Sequence, residues 1–365
     1  MNRRIPMLMT QPQSSAPAHP TCSDVYCVDV VYGHHTAHSG YARLADYVGQ
    51  RIELSPAILR TRDGLLRPPC KLASLYSGVY EYSRHDCAGE LNALMHMLRH
   101  RDAIYHFLYG EKSLRFLARM NGKRGHRIVA TFHHPPEMYG LHFQSTRHLR
   151  GLAHAIVVSS SQLEFMEKKV GRGKVSLAPH GVDTDYWKPN VRSVDGPRRL
   201  VFAGVHMRDV ATLRRVVQRV LEKCHDVEFV LISSNDECAS IAARKGVRWL
   251  KSVPDDVYGD ELSAAELLVL PLLHSTAVNT VLEALACGVP VVTTRGGISD
   301  YLNPSCAIEC NPHDSEGVAQ QVIELLADRD RLCAMRAEAR QQALRFRWSR
   351  VAQAATEVYR RVGCI

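Results

Sequence analysis

Three short stretches of this sequence carry residue types that can do chemistry. Thr280 begins a predicted helix that ends at residues 287–288, and the first N–H groups and positive dipole end of such a helix suit a phosphate. Residues 34–38 contain a His-His-x-x-His cluster that can bind Zn²⁺, but no carboxylate or cysteine lies close to it. Residues 183–185 have an Asp-x-Asp form that some metal-dependent enzymes use. We expect a phosphate site at the helix start and no metal site.

The first half of the chain alternates short apolar runs with helix-like patterns. This alternation is typical of a parallel sheet whose two faces are covered by helices. A glycine-containing loop at residues 33–40 follows the first run, and Tyr41 opens a helix. The predicted strands are residues 24–32, 103–108, 128–132 and 155–159, and further helix-like patterns lie at residues 90–98 and 162–170.

A second series of the same kind follows a polar linker at residues 190–198. Open parallel sheets bind ligands at the carboxyl ends of their strands, so two such domains facing each other would form a cleft. The predicted strands are residues 200–203, 228–232, 248–251, 267–270, 289–293 and 307–309. The predicted helices are residues 211–223, 237–245, 280–287, 315–327 and 329–344.

Length and cysteine content narrow the class of protein. A chain of 365 residues is too long for one compact core and favours two domains. Its 11 cysteines are scattered without a CxxC pair, which favours reduced thiols over a disulfide framework or a zinc site. No segment approaches the roughly 20 apolar residues that span a bilayer. Residues 1–21 are interpreted as a disordered leader, whose apolar patch is too short for a secretory signal. We expect a cytoplasmic protein.

The formal charge of +9 favours anionic partners such as nucleotides, phospholipid surfaces or nucleic acid. The densest basic stretch is residues 112–127, whose apolar residues approximate one face of a helix. This pattern has two interpretations, a solvated helix and loop or an interfacial helix that touches an anionic membrane. No motif of a nucleic-acid-binding protein accompanies the charge, and we expect no nucleic-acid partner.

Three stretches of the second half resemble family-4 glycosyltransferases of the GT-B fold. Residues 178–189 (APHGVDTDYWKP) are similar to the family's Asn-Gly-Val-Asp segment before the linker. Residues 264–302 contain LEALACGVPVV, which is the most specific of the three signals. The tail from Asp314, with Arg347-Trp348 heading a last helix, adds support. The resemblance covers roughly residues 155–362 well and the first 150 residues weakly.

The resemblance implies an α/β protein with two facing doubly wound, Rossmann-like domains and a C-terminal helix that crosses back. We expect an N-terminal, acceptor-side domain at residues 22–190 and a nucleotide-sugar donor domain at residues 191–345. Residues 346–365 would then form the helix that returns to the N-terminal domain.

The resemblance also implies donor-binding residues in the second domain. The backbone of Asn279 and Thr280 would contact the diphosphate, and Glu283 would hydrogen-bond the ribose hydroxyls as the second glutamate of the family's Glu-x7-Glu motif. The first glutamate of that motif falls at Ser275, which can hydrogen-bond a hydroxyl but carries no charge. This departure leaves the sugar specificity open, and neighbouring His274 could fill the space.

The phosphate-binding cation departs from the family as well. The family has Gly-Arg after the first strand of this domain; Gly204 matches the glycine, but Val205 stands at the arginine. Arg208 is the best replacement, because its planar fork suits phosphate oxygens. Val253 matches the position where the family's backbone meets the nucleobase.

Two positions of the first domain match the family's site. Gly40 ends the loop that the family places near the donor phosphate, and a glycine permits close backbone approach. His133, in Thr131-Phe132-His133-His134, matches the histidine near the donor sugar and could stabilise charge or orient a hydroxyl. A simple turn and a core histidine are the structural alternatives for these two positions.

These residues together predict transfer of a sugar from a nucleoside-diphosphate sugar to a hydroxyl acceptor. The resemblance implies retention of anomeric configuration, no required metal and no cofactor besides the nucleotide-sugar co-substrate. Alternatives are a sugar-nucleotide epimerase or hydrolase on the same fold, or a degenerate relative that binds nucleotide or acts as a scaffold. The donor base, the sugar and the acceptor stay open.

Overall fold

The computed structural model describes residues 24–29, 38–52, 67–80, 82–190 and 196–363. The predicted leader, most of the loop at residues 33–40, and residues 191–195 of the predicted linker lie outside these ranges. The described residues form two six-stranded parallel sheets, one from each half of the chain.

The N-terminal sheet has the strand order β2-β1-β3-β4-β5-β6. Every residue of β1, β3 and β5 is buried, because helices cover both faces of the sheet, which explains the continuous apolar runs in the sequence. The strands are Val25–Val28 (β1), Gln50–Arg51 (β2), Ile104–Phe107 (β3), Arg127–Phe132 (β4), His154–Val157 (β5) and Val175–Leu177 (β6).

Short helices and 3-10 turns connect these strands. Ser83 starts the longest helix, since its hydroxyl accepts the N–H of Asp86 and the Asp86 carboxylate accepts the N–H of Ser83. The helices are Ala45–Val48 (α1), Arg67–Tyr76 (α2), Arg84–Arg99 (α3), Gly110–Ser113 (α4), Tyr139–His142 (α5) and Leu163–Val170 (α6). The 3-10 turns are Tyr41–Leu44, Leu117–Met120, Lys123–Gly125, Pro136–Met138, Arg147–Gly151 and Ser160–Gln162.

The C-terminal sheet has the order β12-β11-β10-β7-β8-β9. The order turns around at β7, between β10 and β8, which places a crevice at the carboxyl ends of these central strands. The strands are Arg198–Ala203 (β7), Val227–Ile232 (β8), Val247–Leu250 (β9), Leu267–Leu270 (β10), Val291–Thr294 (β11) and Ala307–Cys310 (β12).

Of the helices in this half, Asp255–Ser263 was missed by the sequence analysis, and one predicted helix, at residues 237–245, differs from the structure. There the chain forms a 3-10 turn at Asp236–Cys238 and one short helix, because Gly246 at φ +85° turns the chain into β9. The helices are Val210–Lys223 (α7), Ala239–Ala242 (α8), Asp255–Ser263 (α9), Asn279–Ala286 (α10), Ser315–Ala327 (α11), Arg329–Leu344 (α12) and Trp348–Gly363 (α13), with a 3-10 turn at Gly297–Tyr301.

The last helix, α13, packs against the N-terminal sheet. Trp348 and Tyr359 are buried in one cluster with β1 and the Tyr41 turn. The Tyr359 hydroxyl lies 2.7 Å from His106 Nδ1, and His106 Nε2 lies 2.7 Å from Thr131 Oγ1 on β4. The prediction that the C-terminal helix returns to the first domain is confirmed.

The basic stretch at residues 112–127 does not form the helix that both interpretations of its sequence pattern include, and these interpretations are wrong in that respect. The carboxylate of Glu90, on α3, accepts the backbone N–H groups of residues 115, 116 and 117 at 2.9, 2.7 and 2.8 Å. These bonds replace helical ones and hold the chain as two 3-10 turns after α4. Leu114 and Leu117 are buried in the N-terminal core.

Candidate active site

Helix α10 follows β10 in the chain, and its N-terminus has no side-chain cap. Val278 precedes the helix and has no side-chain acceptor for its first N–H groups, although its carbonyl accepts the N–H of Val281 at 3.0 Å. Helices α7, α11 and α12 of this domain each begin with a capping aspartate, at positions 209, 314 and 328, whereas α9 begins after Pro254 without a side-chain cap. The first N–H groups of α10 are therefore left to another acceptor, as the sequence predicts for a phosphate site at Asn279 and Thr280.

Arg208 lies beside this helix end and is held in a fixed position. Its Nε and Nη1 donate to the carbonyls of Ala203 and His206 at 2.9 Å each, and its Nη2 lies 3.3 Å from Thr280 Oγ1. Among the described residues it forms no ion pair. Burial lowers the pKa of Arg208 to about 10, which still leaves the guanidinium protonated at neutral pH.

Gly204 makes room for this guanidinium. Its φ is +96°, and a Cβ at this position would lie 2.6 Å from Arg208 Nη2. A larger residue would therefore push the arginine away from the strand end. The sequence predicts Gly204 in the site from its place after β7, and the structure gives it this steric role.

Glu283 is buried on α10, one turn after Thr280, and both of its carboxylate oxygens are bound. Oε1 accepts from the Ser39 hydroxyl at 2.5 Å, and Oε2 accepts from the Tyr258 hydroxyl at 2.7 Å. Burial raises the pKa of Glu283, and the hydrogen bonds from Ser39 and Tyr258 oppose that rise. The sequence analysis missed Ser39 and Tyr258.

His133 lies on the opposite side of the cleft, at the end of β4. Its Nε2 lies 2.8 Å from the carbonyl of Leu108, and its backbone N–H donates to Glu111. The hydroxyl of Thr276 donates to the carbonyl of His133, which links the two domains here. Burial lowers the pKa of His133. Glu111, which also accepts the N–H of His134 at 2.8 Å, was missed by sequence reasoning.

The remaining predicted positions lie around this centre. Gly40 is buried at φ +92° before the Tyr41 turn, next to Ser39. Ser275 Oγ accepts the N–H of Ile298 at 3.2 Å, while His274 is exposed. Val253 packs against the C-terminal core in the loop before α9. Arg208, Thr280 and Glu283 thus form one cluster, whereas the hydrogen bonds of Ser275 are to residues 297 and 298.

The Asp-x-Asp segment is bound by side chains from the beginning of the described chain. Asp183 Oδ2 lies 3.0 Å from His38 Nδ1 and 3.1 Å from Arg43 Nη2, and its Oδ1 accepts two backbone N–H groups of its own turn. The His38 ring stacks on Tyr186 at 3.6 Å. Within the part of the chain that the structure describes, no group of three potential metal ligands is found.

One family model and several known proteins match parts of this sequence. Residues 197–328 match the family described as Glycosyl transferases group 1. Alpha-maltose-1-phosphate synthase of Mycolicibacterium smegmatis is 28% identical over 52% of this chain and 57% of that protein. D-inositol 3-phosphate glycosyltransferase of Thermobispora bispora is 35% identical over 33% of this chain and 30% of that protein. The matches thus span about half or less of these two relatives.

Two solved structures share the architecture. Sucrose-phosphate synthase from Thermosynechococcus elongatus superposes with a TM-score of 0.63 at 16% identity, over 77% of this chain and 78% of that one. Anabaena HepE, solved in complex with UDP, has a TM-score of 0.63 at 14% identity, over 92% of this chain and 98% of that one. The fold is GT-B, and residues 197–328 are similar to the glycosyl transferases group 1 family. No helix in the described ranges is long and apolar enough to cross a membrane.

Proposed function

We propose that this protein transfers a sugar from a nucleoside-diphosphate sugar to a hydroxyl acceptor. The observation that carries the proposal is the pairing of a protonated arginine with an uncapped helix N-terminus. Arg208 and the start of α10 meet at Thr280, and no carboxylate pairs directly with Arg208 in the described chain. Such a concentration of positive potential suits a diphosphate. The names of the relatives, a maltose-1-phosphate synthase and a glycosyltransferase, support sugar transfer.

The proposed role of this cluster is to stabilise the leaving group. Breaking the bond between the sugar and the diphosphate leaves additional negative charge on the phosphate oxygens. Fixed N–H donors placed where this charge develops lower the barrier, because they need no reorganisation during the reaction. The bonds from Arg208 to the carbonyls of Ala203 and His206 hold the guanidinium in such a fixed position.

The proposed role of Glu283 is to bind the ribose. Its carboxylate now accepts two hydroxyl protons, from Ser39 and Tyr258, at 2.5 and 2.7 Å. A ribose hydroxyl is a donor of the same kind and can take the place of Ser39. Tyr258 would stay as the group that orients the carboxylate.

The proposed role of His133 is to orient a sugar hydroxyl. Its Nε2 faces a carbonyl, which can only accept, so Nε2 carries the proton and Nδ1 is left as an acceptor. Because burial lowers the pKa of this histidine, the ring is neutral at pH 7. Of the two roles predicted from the sequence, we therefore favour hydroxyl orientation over charge stabilisation.

Retention of configuration and independence of metal are also proposed. They rest on the resemblance of residues 264–302 to retaining family-4 transferases. At Ser275, where that family has a glutamate, the hydroxyl is used by the N–H of Ile298. The reaction would then proceed without a carboxylate at this position. The stereochemistry is tested by NMR of the anomeric proton in the product, and metal independence by activity in the presence of EDTA.

A nucleotide-release assay across UDP-, GDP- and ADP-sugars tests the proposed function, with thermal shift as a second readout. We expect release with one donor class and its loss in Glu283→Ala. Stabilisation by nucleotide without release from any tested donor and acceptor would favour the degenerate, nucleotide-binding alternative. Release of free sugar, or its isomerisation, without an acceptor would favour a hydrolase or an epimerase. If the protein neither binds nucleotide nor releases it from any tested donor, the proposal is overturned.

A further inference from the structure

Helix α2 of the N-terminal domain turns apolar side chains toward solvent. Leu72, Leu75 and Tyr76 follow an i, i+3, i+4 spacing and therefore lie on one face of the helix. They are 56%, 73% and 77% exposed, whereas Cys70 is the buried residue of the helix. A surface helix normally directs its apolar stripe into the core. This helix does the reverse, so its outer face has a role other than packing within the domain.

Two neighbouring segments extend this face. Residues 78–80 run antiparallel to residues 142–144, with hydrogen bonds of 2.9 Å from Tyr80 to His142 and 2.8 Å from Gln144 to Gly78. The ring of Phe116 packs edge-on against Tyr82 at 5.9 Å. Together these segments expose six large apolar side chains, which we call the apolar patch: Leu72, Leu75, Tyr76, Tyr80, Phe116 and Leu141. The other exposed large apolar residues in the described ranges lie singly on separate elements or loops.

The segments that form the apolar patch are basic. Residues 67–80, 112–127 and 139–151 contain no Asp or Glu. Their exposed charged side chains are all cations, which include Arg67, Lys71, Arg119, Arg147 and Arg150. The basic stretch noted in the sequence thus contributes to this surface, although it is not the helix that was predicted there.

We propose that the apolar patch and its basic rim dock on an anionic lipid surface. Apolar and tyrosine side chains can enter the headgroup region, while arginine and lysine remain at the lipid phosphates. The exposed charges of these three segments are all positive, which complements the negative surface potential of anionic lipids. The charge of this surface therefore favours an anionic membrane.

The docking surface adjoins the cleft. His142, which is bonded to Tyr80, stacks on the ring of His134 at 4.2 Å, and His134 follows His133 at the cleft edge. If the protein transfers sugars as proposed, the position of the docking surface beside the cleft implies that the acceptor hydroxyl is carried on a lipid. This implication rests on the proposed function. The docking itself does not depend on the transferase activity and is tested without it.

Vesicle co-sedimentation with the full chain tests the docking. Phosphatidylcholine vesicles are compared with vesicles that also contain phosphatidylglycerol. We expect binding only to the anionic vesicles, and a loss of at least tenfold in Leu72→Ser/Leu75→Ser/Tyr76→Ser. The matched control Tyr47→Ser/Leu98→Ser/Leu177→Ser removes the same residue types, 43%, 55% and 42% exposed, elsewhere on this domain and should bind as the wild type does.

The basic rim is tested by Arg67→Glu/Lys71→Glu, with circular dichroism to show that each variant folds. Each cation near an anionic surface contributes roughly fivefold to the affinity at low salt, so this variant should lose at least tenfold. Equal binding of the patch variant and the wild type would overturn the proposal, as would absence of wild-type binding to anionic vesicles. A wild-type dimer that the patch variant converts to a monomer, without vesicle binding, would identify a second copy of the chain as the occupant.

Discussion

Arg208 carries a positive charge in a position where a charge is energetically unfavourable. It is largely removed from solvent, yet among the described residues no carboxylate forms an ion pair with it, and its donors are satisfied by two carbonyls and Thr280. Such a cation is unfavourable for the free energy of folding, so its presence indicates a site where an anion binds. The sequence placed Arg208 near the site only as a substitute for a missing arginine; the structure supplies the physical reason.

Substitution of Arg208 is therefore expected to weaken nucleotide binding. Arg208→Gln should raise the dissociation constant of the nucleoside diphosphate by about 10- to 100-fold, the range for a charge-assisted hydrogen bond of about 1.5–3 kcal/mol. Arg208→Lys should recover only part of this loss, because an ammonium has no planar fork. Isothermal titration calorimetry measures both, and Arg214→Gln, on the exposed face of α7, serves as the control. Unchanged affinity in Arg208→Gln would contradict the assignment.

The two donors to Glu283 are expected to have opposite effects on binding. Ser39→Ala removes a hydroxyl that competes with the ribose, so nucleotide affinity should rise by roughly three- to tenfold, the equivalent of a bond worth about 1 kcal/mol. Tyr258→Phe removes the group that orients the carboxylate, so affinity should fall by a similar factor. The same calorimetric titration measures both variants. Parallel effects of the two substitutions would show that Ser39 is part of the bound site.

Among the residues of the candidate site, the sequence predicted those that belong to a motif and missed those that support them. Thr280 and Glu283 are one helical turn apart, so a local pattern was enough to place them together. Ser39 and Glu111 reach their partners across 244 and 22 positions of sequence. Hydroxyls and carboxylates of this kind have no local pattern, because only the folded chain brings them to their acceptors.

Helix α13 is positioned by close packing against a glycine. Val182 N donates to the carbonyl of Phe346 at 2.9 Å, which brings the two chain segments together before the helix begins. A Cβ at Gly181 would lie 2.4 Å from the ring of Trp348, which is buried. The C-terminal helix therefore depends on a missing side chain in a segment that is far away in sequence.

Gly181→Ala is expected to destabilise the protein by about 1–3 kcal/mol, the usual cost of overpacking a core. The measurement is urea unfolding followed by tryptophan fluorescence, since Trp348 is displaced. Gly89→Ala is the matched control, because no atom lies within 4 Å of a Cβ there and alanine favours the helix interior. The prediction fails if both variants unfold at the same urea concentration as the wild type.

The sequence predicted elements where the pattern was local. Buried strands such as β10 appear as continuous apolar runs, and their bounds differ little from the prediction. Residues 112–127 have a helical pattern, but Glu90 takes the N–H groups that a helix would use. The carboxylate of Glu90, which lies on another helix, thus prevents the helix that the local sequence favours. The sequence of residues 112–127 contains no signal of this contact.

Several histidines of the folded protein are buried with a neutral imidazole ring. Burial lowers the pKa of His106 to about 3, and that of His134, His148 and His154 to about 4, from an ordinary value of 6.5. The unfolded chain binds protons at these positions before the folded chain does. Their contribution is thus fully present above pH 6.5 and is lost as the pH falls from 6.5 toward 4.

The free energy of unfolding should therefore decrease between pH 7 and pH 5. Each histidine contributes up to about 1.4 kcal/mol per pH unit below 6.5. His106→Gln should flatten this dependence, whereas His274→Gln, at an exposed site, should leave the slope unchanged. Thermal unfolding at a series of pH values measures the slope separately from the overall loss of stability. A melting temperature that rises toward pH 5 would contradict the prediction.

The two domains are joined by polar contacts on more than one side. Asp300 accepts the Ser159 hydroxyl and both donors of Ser160 at 2.6–2.8 Å, and the Thr276 hydroxyl donates to the carbonyl of His133. The sequence predicted two facing domains, since each half shows its own alternation of strands and helices. It did not predict these contacts, because each one joins residues more than 130 positions apart.

The return of α13 to the first sheet also has a consequence for the order in which the protein is made. The N-terminal sheet leaves the ribosome before the C-terminal one, yet its core includes side chains that are synthesised after every strand of both sheets: Trp348, Val351, Ala355 and Tyr359. Domains usually fold as units during synthesis, the N-terminal one first. Here the second domain has all its strands before the first has its covering helix, so the half that is translated first completes its core last.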